Sequence, residues 1–546
     1  MVPPATRFVF ETPIALGPFE LHQFLGRGGM GVVWQGVHTK QQVPVAVKVL
    51  PGNTSHHSLY LENFRDEVRK VAQFTHPGIV VVFDYGEMPA TAAASSREQL
   101  AGGALADIAL EAGSPYLVME LCDQGSLSQR VKLLTWGEIR GILLSLLDAL
   151  AHAHARGVVH RDIKPDNILF TATGSSRPAV KLTDFGIALA HESVESATQP
   201  KIAGTLPFMA PEQFKDWRDQ GPWTDLYAVG CVAYMLAAGK PPFIAQDPFG
   251  FAGQHMFKEP PALSLDPGVP PEFASWVLRL LEKAPRDRFR CAADAARALA
   301  SLEVPIGSER SRYFHEMTTI FPAGGADSSL GDEPDLPEPG PPPTPVAAPS
   351  LRDPADPIEP ELVPIPLSWK STATAPMAMS LIGAGMGLYE WRAVPFVGRQ
   401  RQRDHVWNAL RETRTTGRAR LVLLRGEAGY GKSRLSEWMA QRALEVGAAV
   451  TLLRVEHNPI PGPTNGLHYA VARQLRCLGL HLDDVRERVE STLAEFDVSD
   501  KYERRALTEF ALAGGSPETR HGTPKERYLV FRRFLDLLCR ERPVIL

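Results

Sequence analysis

The sequence predicts an α+β unit, then an extended proline-rich spacer, then the opening of an α/β nucleotide-type unit. Three observations carry this. Apolar residues alternate with period two in V-P-V-A-V-K-V-L at 43–50 and recur three and four apart at 61–74 and 136–156, so strands and helices both occur. The stretch 336–366 is crowded with proline, aspartate and glutamate and holds too little apolar surface for a core. Finally, G-E-A-G-Y-G-K-S at 426–433 stands between an apolar run and a helical pattern. The chain has 546 residues, 44% of them hydrophobic, enough for several cores, and its formal charge of −4 provides no basic field for nucleic acid or a membrane surface. The 5 cysteines stand singly, with no C-x-x-C pair, which argues against a zinc site or a disulfide framework and for a reducing compartment. The N-terminus has no leader-like apolar core. No run reaches the roughly 18 apolar residues of a membrane span, and 375–388 is short and rich in glycine. The expectation is a soluble, cytoplasmic protein.

Taken in order, 19–38 reads as two strands around a glycine turn, with Gly26, Gly28 and Gly31 where a Cβ would hold backbone amides away from a phosphate. A strand–turn–strand context separates this from the strand–turn–helix of dinucleotide folds. In V-P-V-A-V-K-V-L, alternation puts Val45, Val47 and Val49 on one face and Ala46, Lys48 and Leu50 on the other. A helical stripe follows at 61–74 (Phe64, Val68, Val71, Phe74), with Glu67 beside it and Glu62 a weaker alternative for any paired carboxylate. The segment 88–114, rich in Ala, Ser and Gly, reads as a surface loop with one helical piece at 100–110, between strands at 78–86 and 116–121.

Beyond an apolar-periodic helix at 136–156 lies 158–169, V-V-H-R-D-I-K-P-D-N-I-L. There Asp162 can take a proton from a hydroxyl, Lys164 can hold a transferred phosphate, and Asn167 can hold a metal ion. A strand at 180–184 ends in Asp184-Phe185-Gly186. This series resembles the protein kinases, over residues 19–302. The resemblance implies a bilobal kinase fold, with a small lobe at 19–121, a large lobe at 122–302 and an N-terminal extension at 1–18. It implies nucleotide contacts from Gly26, Arg27, Gly28, Gly29, Met30, Gly31, Val32, Val33, Ala46, Lys48, Glu120, Cys122 and Leu169. Lys48 would pair with Glu67, Asp162 would be the base beside Lys164, and Asn167 and Asp184 would bind Mg²⁺. Met119 would control access behind the adenine, Thr205 would contact Asp162 and Lys164, Asp225 would brace the catalytic loop, and Arg288 would pair with Glu212. Lys164 marks the Ser/Thr branch, so the resemblance implies ATP and protein Ser/Thr hydroxyls as substrates. Arg161 would receive a phosphate on the activation segment, for which Thr198 and Ser196 are the candidates; an unmodified, hydroxyl-rich loop is the alternative.

The remainder, 303–391, is expected to be a disordered or polyproline II linker. At 392–546, Gly426, Gly431, Lys432 and Ser433 form G-x-x-x-x-G-K-S between an expected strand at 421–424 and a helix at 433–446. With the V-G-R box at 397–399 this resembles the STAND and AAA-like P-loop ATPases, which implies a partial module. The apolar run at 542–546 reads as the start of its second strand, and poor hydrolysis is expected from an incomplete unit. A signalling ATPase or scaffold with the kinase as input is the alternative function.

Overall fold

The computed structural model describes residues 8–546, apart from 29–30, 51–64, 66–67, 101–109, 131–133, 173–178, 186–204, 216, 267, 303–364, 371–380, 390, 393–395, 449, 458–464 and 513–522. Val9–Leu16 (β1), Phe19–Gly28 (β2), Gly31–His38 (β3), Val43–Val49 (β4), Val82–Glu87 (β5) and Pro115–Glu120 (β6) form a six-stranded sheet in the order β1-β2-β3-β4-β6-β5. Every pair is antiparallel. β1 lies in the stretch read as an extension. Its Phe10, Ile14 and Leu16 alternate inward, so it closes one sheet edge.

β4 shows that both faces of the sheet are covered. Val45, Val47 and Val49 point into one core with Phe19, Leu21 and Trp34, while Ala46 and Leu50 join a second with Val68, Val82, Leu117 and Met119. Ala90–Leu100 (α1) covers the first face, in the segment expected to be loop. Ala92 and Ala93 bury against the sheet, and the Gln99 side chain bonds both backbone groups of Thr12. The expectation failed because an Ala/Ser-rich composition resembles a loop, whereas alanine is the best helix former and packs closely on a strand.

The large lobe is helical. Trp136–Ala155 (α2) starts at a capping box, in which the Thr135 N–H donates to Glu138 Oε2 at 2.8 Å. It buries Ile139, Ile142, Leu143, Leu146, Leu147 and Leu150 against Pro222–Ala238 (α3), a helix apolar on nearly every side and ended by Gly239 in the left-handed region. Pro248–Phe257 (α4), Glu272–Leu280 (α5) and Ala292–Ala300 (α6) complete the lobe, and Ile168–Thr171 (β7) pairs with Ala179–Leu182 (β8) beneath the cleft.

Of the linker expected to be disordered, 303–364 and 371–380 lie outside the described residues, and Ile365 is buried in a core. Residues 381–389 and 391, counted with that linker from sequence, pack on the sheet: Leu381 joins one core and Leu388 the other. The C-terminal part comprises Gln400–Thr416 (α7), Lys432–Glu445 (α8), Thr451–Leu452 (β9), Gly466–Gln474 (α9), Leu482–Glu495 (α10), Lys501–Leu512 (α11), Pro524–Glu541 (α12) and Val544–Ile545 (β10), which runs parallel to β9. The strand expected at 421–424 is not formed. The chain there has no ladder partners among the described residues, and Leu421 and Leu423 are exposed. Among the described residues no helix is long and apolar enough to cross a membrane.

Candidate active site

The cleft lies between the sheet and the β7–β8 pair. Gly26 faces Val33, Arg27 faces Val32 and Gly28 faces Gly31 across the β2–β3 ladder; Gly29 and Met30, at the tip, lie outside the described residues. Gly31 has φ +144° and packs so tightly on the Val49 carbonyl that a Cβ would overlap it, which is why glycine is required there. Ala46 stands opposite Met119, and Lys48 opposite Leu117, on the cleft side of β4.

Lys48 is buried, and its Nζ lies 2.7 Å from Asp184 Oδ1. Glu67, the expected partner, lies outside the described residues; the described partner of Lys48 is Asp184. Burial works to raise the Asp184 carboxyl, but the charge and hydrogen bond of Lys48, with His160 and Lys164 adding, outweigh it and hold it below the usual range. Behind Met119, Val68, Val71, Leu117, Asp184 and Phe185 enclose a cavity of about 20 Å³. Glu120 donates its N–H to the Val81 carbonyl at 2.8 Å, and its carboxylate holds Lys181 at 2.8 Å. Burial, then the charge of Glu120, pushes the Cys122 thiol up to about 12, so it stays neutral. Leu169, on β7, faces Lys181.

The loop at 158–169 converges on Asp162. Lys164 Nζ bonds both carboxylate oxygens, at 3.0 and 2.7 Å, and Asn167 Nδ2 donates to Oδ2 at 3.0 Å. Thr205 Oγ1 donates to Asp162 Oδ1 at 3.0 Å and accepts from Lys164 Nζ at 2.9 Å. Asp225, on α3, accepts the backbone N–H groups of His160 and Arg161 at 2.8 and 2.7 Å. Burial would raise its carboxyl, but His154 at 2.7 Å, with His160, lowers it overall. Glu212 takes Arg288 in a two-pronged bond at 2.9 and 3.0 Å, both groups buried.

Sequence reasoning missed several supports. His154, on α2, holds Asp225. His160 bonds the Thr183 carbonyl at 2.8 Å and lies against the Phe185 ring. Gln213 donates to the Arg161 carbonyl, and Thr224 to Glu212. Apart from His160, none sits in a short motif; each partner is set by the fold.

At the second phosphate-type site, Gly431 (φ +70°) caps α8, so Ser433 lies in the first helical turn. Gly426 has φ +159°. Lys432 Nζ bonds the Gly426 and Glu427 carbonyls at 2.9 and 2.8 Å, closing the loop on itself.

Residues 19–298, just over half the chain, match the protein kinase domain family. The chain belongs to that family. Residues 395–546 match the AAA ATPase domain family, so an AAA-like module follows the kinase domain in one chain. Among curated proteins the chain is 37% identical over 289 residues to the serine/threonine-protein kinase PknA of Mycobacterium tuberculosis, covering 52% of this chain and 61% of that one. It is 37% identical over 292 residues to the serine/threonine-protein kinase Pkn1 of Myxococcus xanthus, covering 52% of this chain and 38% of that one. The chain thus spans about three fifths or less of the length of these relatives. Among solved structures, a single-site mutant of the Mycobacterium tuberculosis PknI kinase domain aligns at TM-score 0.38 and 25% identity, covering 54% of this chain and 98% of that one. In the kinase cleft, Lys48, Asp184, Asp162, Asn167 and Lys164 are joined by their mutual bonds into two adjoining polar clusters.

Proposed function

We propose that this chain is a serine/threonine protein kinase that transfers the γ-phosphoryl group of ATP to protein hydroxyls, itself included, in a signalling role. The observation that carries the reading is the Asp162 carboxylate held at once by Lys164, Asn167 and Thr205. A hydroxyl entering beside Asp162 attacks the γ-phosphorus and passes its proton to the carboxylate, as the bond to the β–γ bridging oxygen breaks and ADP leaves. Lys164 offsets charge on the transferring group, and the bracing of the loop by Asp225 keeps Asp162 in line. Thr205 marks where a substrate hydroxyl would lie, since it already bonds the base and the lysine.

Asp184 and Asn167 supply hard oxygen donors, the kind that fits Mg²⁺ when substrate phosphates complete its shell. The ion would neutralise phosphate charge; the chain's own residues do the orienting. Among the described residues no cluster of three or more His, Cys, Asp or Glu side chains forms a metal site by itself. Arg161 Nε is buried with no hydrogen-bond partner among the described residues, consistent with a phosphate arriving from the activation segment. Ser196 and Thr198, the proposed acceptors, lie outside the described residues.

Mass spectrometry of the chain after incubation with Mg²⁺ and ATP tests the reading. Phosphate on Ser and Thr, lost in Asp162→Asn, supports it, and an unmodified wild-type chain overturns it. The competing signalling-ATPase reading requires hydrolysis that survives Asp162→Ala and disappears with Lys432→Ala.

A further inference from the structure

The kinase cleft leaves one well-built feature unused: the segment 381–392, which comes after the spacer and wraps the small lobe. It enters at the β3–β4 turn, where the Ile382 N–H donates to Gln41 Oε1 at 2.7 Å and its carbonyl lies 2.9 Å from His38 Nε2. It then crosses the outer edge of β5. The Asp84 carboxylate accepts the Gly385 N–H, and a Cβ on Gly385 (φ +76°) would sit 2.9 Å from the Phe83 carbonyl, so only glycine allows this approach. Arg392 Nη2 reaches the Phe83 carbonyl at 3.1 Å, capping the sheet edge.

Between these anchors, Leu388 is fully buried beside Val68, Val82 and Leu117. The Trp391 ring lies 5.2 Å from that of Tyr85, with the Arg69 guanidinium 5.4 Å from its centroid. Met386 and Tyr389 point outward and are exposed. The inward residues of the segment therefore grip the helical turn 68–71 from behind. The same turn, through Val68 and Val71, lines the cavity closed by Asp184 and Phe185. Phe74, just beyond, packs against Phe185 with ring centroids 5.0 Å apart.

We propose that 381–392 is a brace acting in cis, with Leu388 and Trp391 as positioning residues for phosphoryl transfer. They fill the gap between the 68–71 turn and the sheet. With that gap filled, the turn is held against Phe185 and the Lys48–Asp184 pair stays in register with Asp162. Without the two side chains the turn has no apolar seat on its outer side and moves away from the cleft. A kinase domain joined to this segment is competent by itself; one deprived of it is slow.

The inference rests on the kinase reading, and the full chain is the test material. Transfer from labelled ATP to itself and to a Ser/Thr peptide is measured per folded molecule, alongside amide exchange of residues 68–72. The double variant Leu388→Ala/Trp391→Ala is expected to lower kcat on the order of tenfold, a size typical of coupling between distinct sites. Exchange at 68–72 is expected to rise, with a smaller change in KM for the peptide. Leu388→Met with Trp391→Phe is expected to restore the rate, and Met386→Ser to leave it unchanged. A double variant with wild-type kcat and wild-type exchange overturns the proposal. Should the double variant fail to fold, Arg392→Ala, which releases only the edge carbonyls, must lower kcat and raise exchange; a wild-type result there overturns it equally. A wild-type chain that transfers nothing defeats the kinase reading, a result visible before any variant is compared.

Discussion

Asp162 is held in place by the bonds around it. Lys164, Asn167 and Thr205 fix its carboxylate from three sides. Asp162→Asn keeps the shape but removes the proposed proton acceptor, so turnover is expected to fall by roughly 10²–10⁴-fold with nucleotide affinity retained. Label transfer and nucleotide titration, run side by side, separate the two. Arg288 differs in kind: it touches no substrate position and neutralises Glu212 inside the large lobe. Arg288→Ala leaves a buried carboxylate unpaired, which typically costs about 3–5 kcal/mol, and the urea midpoint should drop accordingly. The first variant should keep its fold and lose rate, and the second should lose stability first.

At the scale of elements, α4 carries a latent acid sensitivity. Its His255 is fully buried, 2.9 Å from the Tyr227 hydroxyl and edge-on to Phe243. Burial, then the charge of Lys283, pushes this imidazole down to about 4 from the ordinary 6.5. The unfolded chain therefore takes up a proton that the folded lobe refuses. Stability falls as pH drops from 6.5 toward 4, by an amount approaching roughly 3 kcal/mol at the acid end. Urea midpoints at pH 7 and pH 5 check this, and His255→Gln should flatten the difference. Asp225 and Asp184, held low, act in a lower window: their contribution is complete above about 3.8 and is lost only as pH falls below it. The helix α1 carries a separate lesson. Its alanines, unpatterned in sequence, become a close-packed roof once β1 is beneath them.

Over the whole molecule, the P-loop helix and the kinase are in direct contact. α8 packs its C-terminal end on α2, where Glu445 accepts from Arg156 at 2.5 Å and Arg442 at 2.7 Å and lies 3.1 Å from His152 Nδ1. Burial alone would raise the Glu445 carboxyl, but His152, Arg156 and Arg442 bring it well below its usual range. Arg297 adds bonds to the Val446 and Gly447 carbonyls at 3.1 and 2.8 Å. Further along, Arg488 meets Asp219 at 2.8 Å and the Arg476 guanidinium lies 4.1 Å over Trp223. Glu445→Lys sets like charges against Arg156. Amide protection at 150–156 and 440–447 is then expected to fall together, as hydrogen exchange would report. Lys432 begins the same helix, so the P-loop lysine and the contact with the kinase domain lie on one element.

Local order in the chain determined the polar groups that meet in the cleft. His160 through Asn167, Asp184-Phe185 and the shared face of Ala46 and Lys48 were legible because their spacing along one short segment already sets which atoms can meet. The same holds for Gly431, Lys432 and Ser433 at the start of a helix. Only the tertiary structure decided what holds those parts: His154 under Asp225, Lys181 on Glu120, α1 over β1, and Leu388 behind Val68. In each of these the partners lie far apart in the chain or in segments without periodicity. Their burial depends on the three-dimensional packing of residues that no local pattern connects.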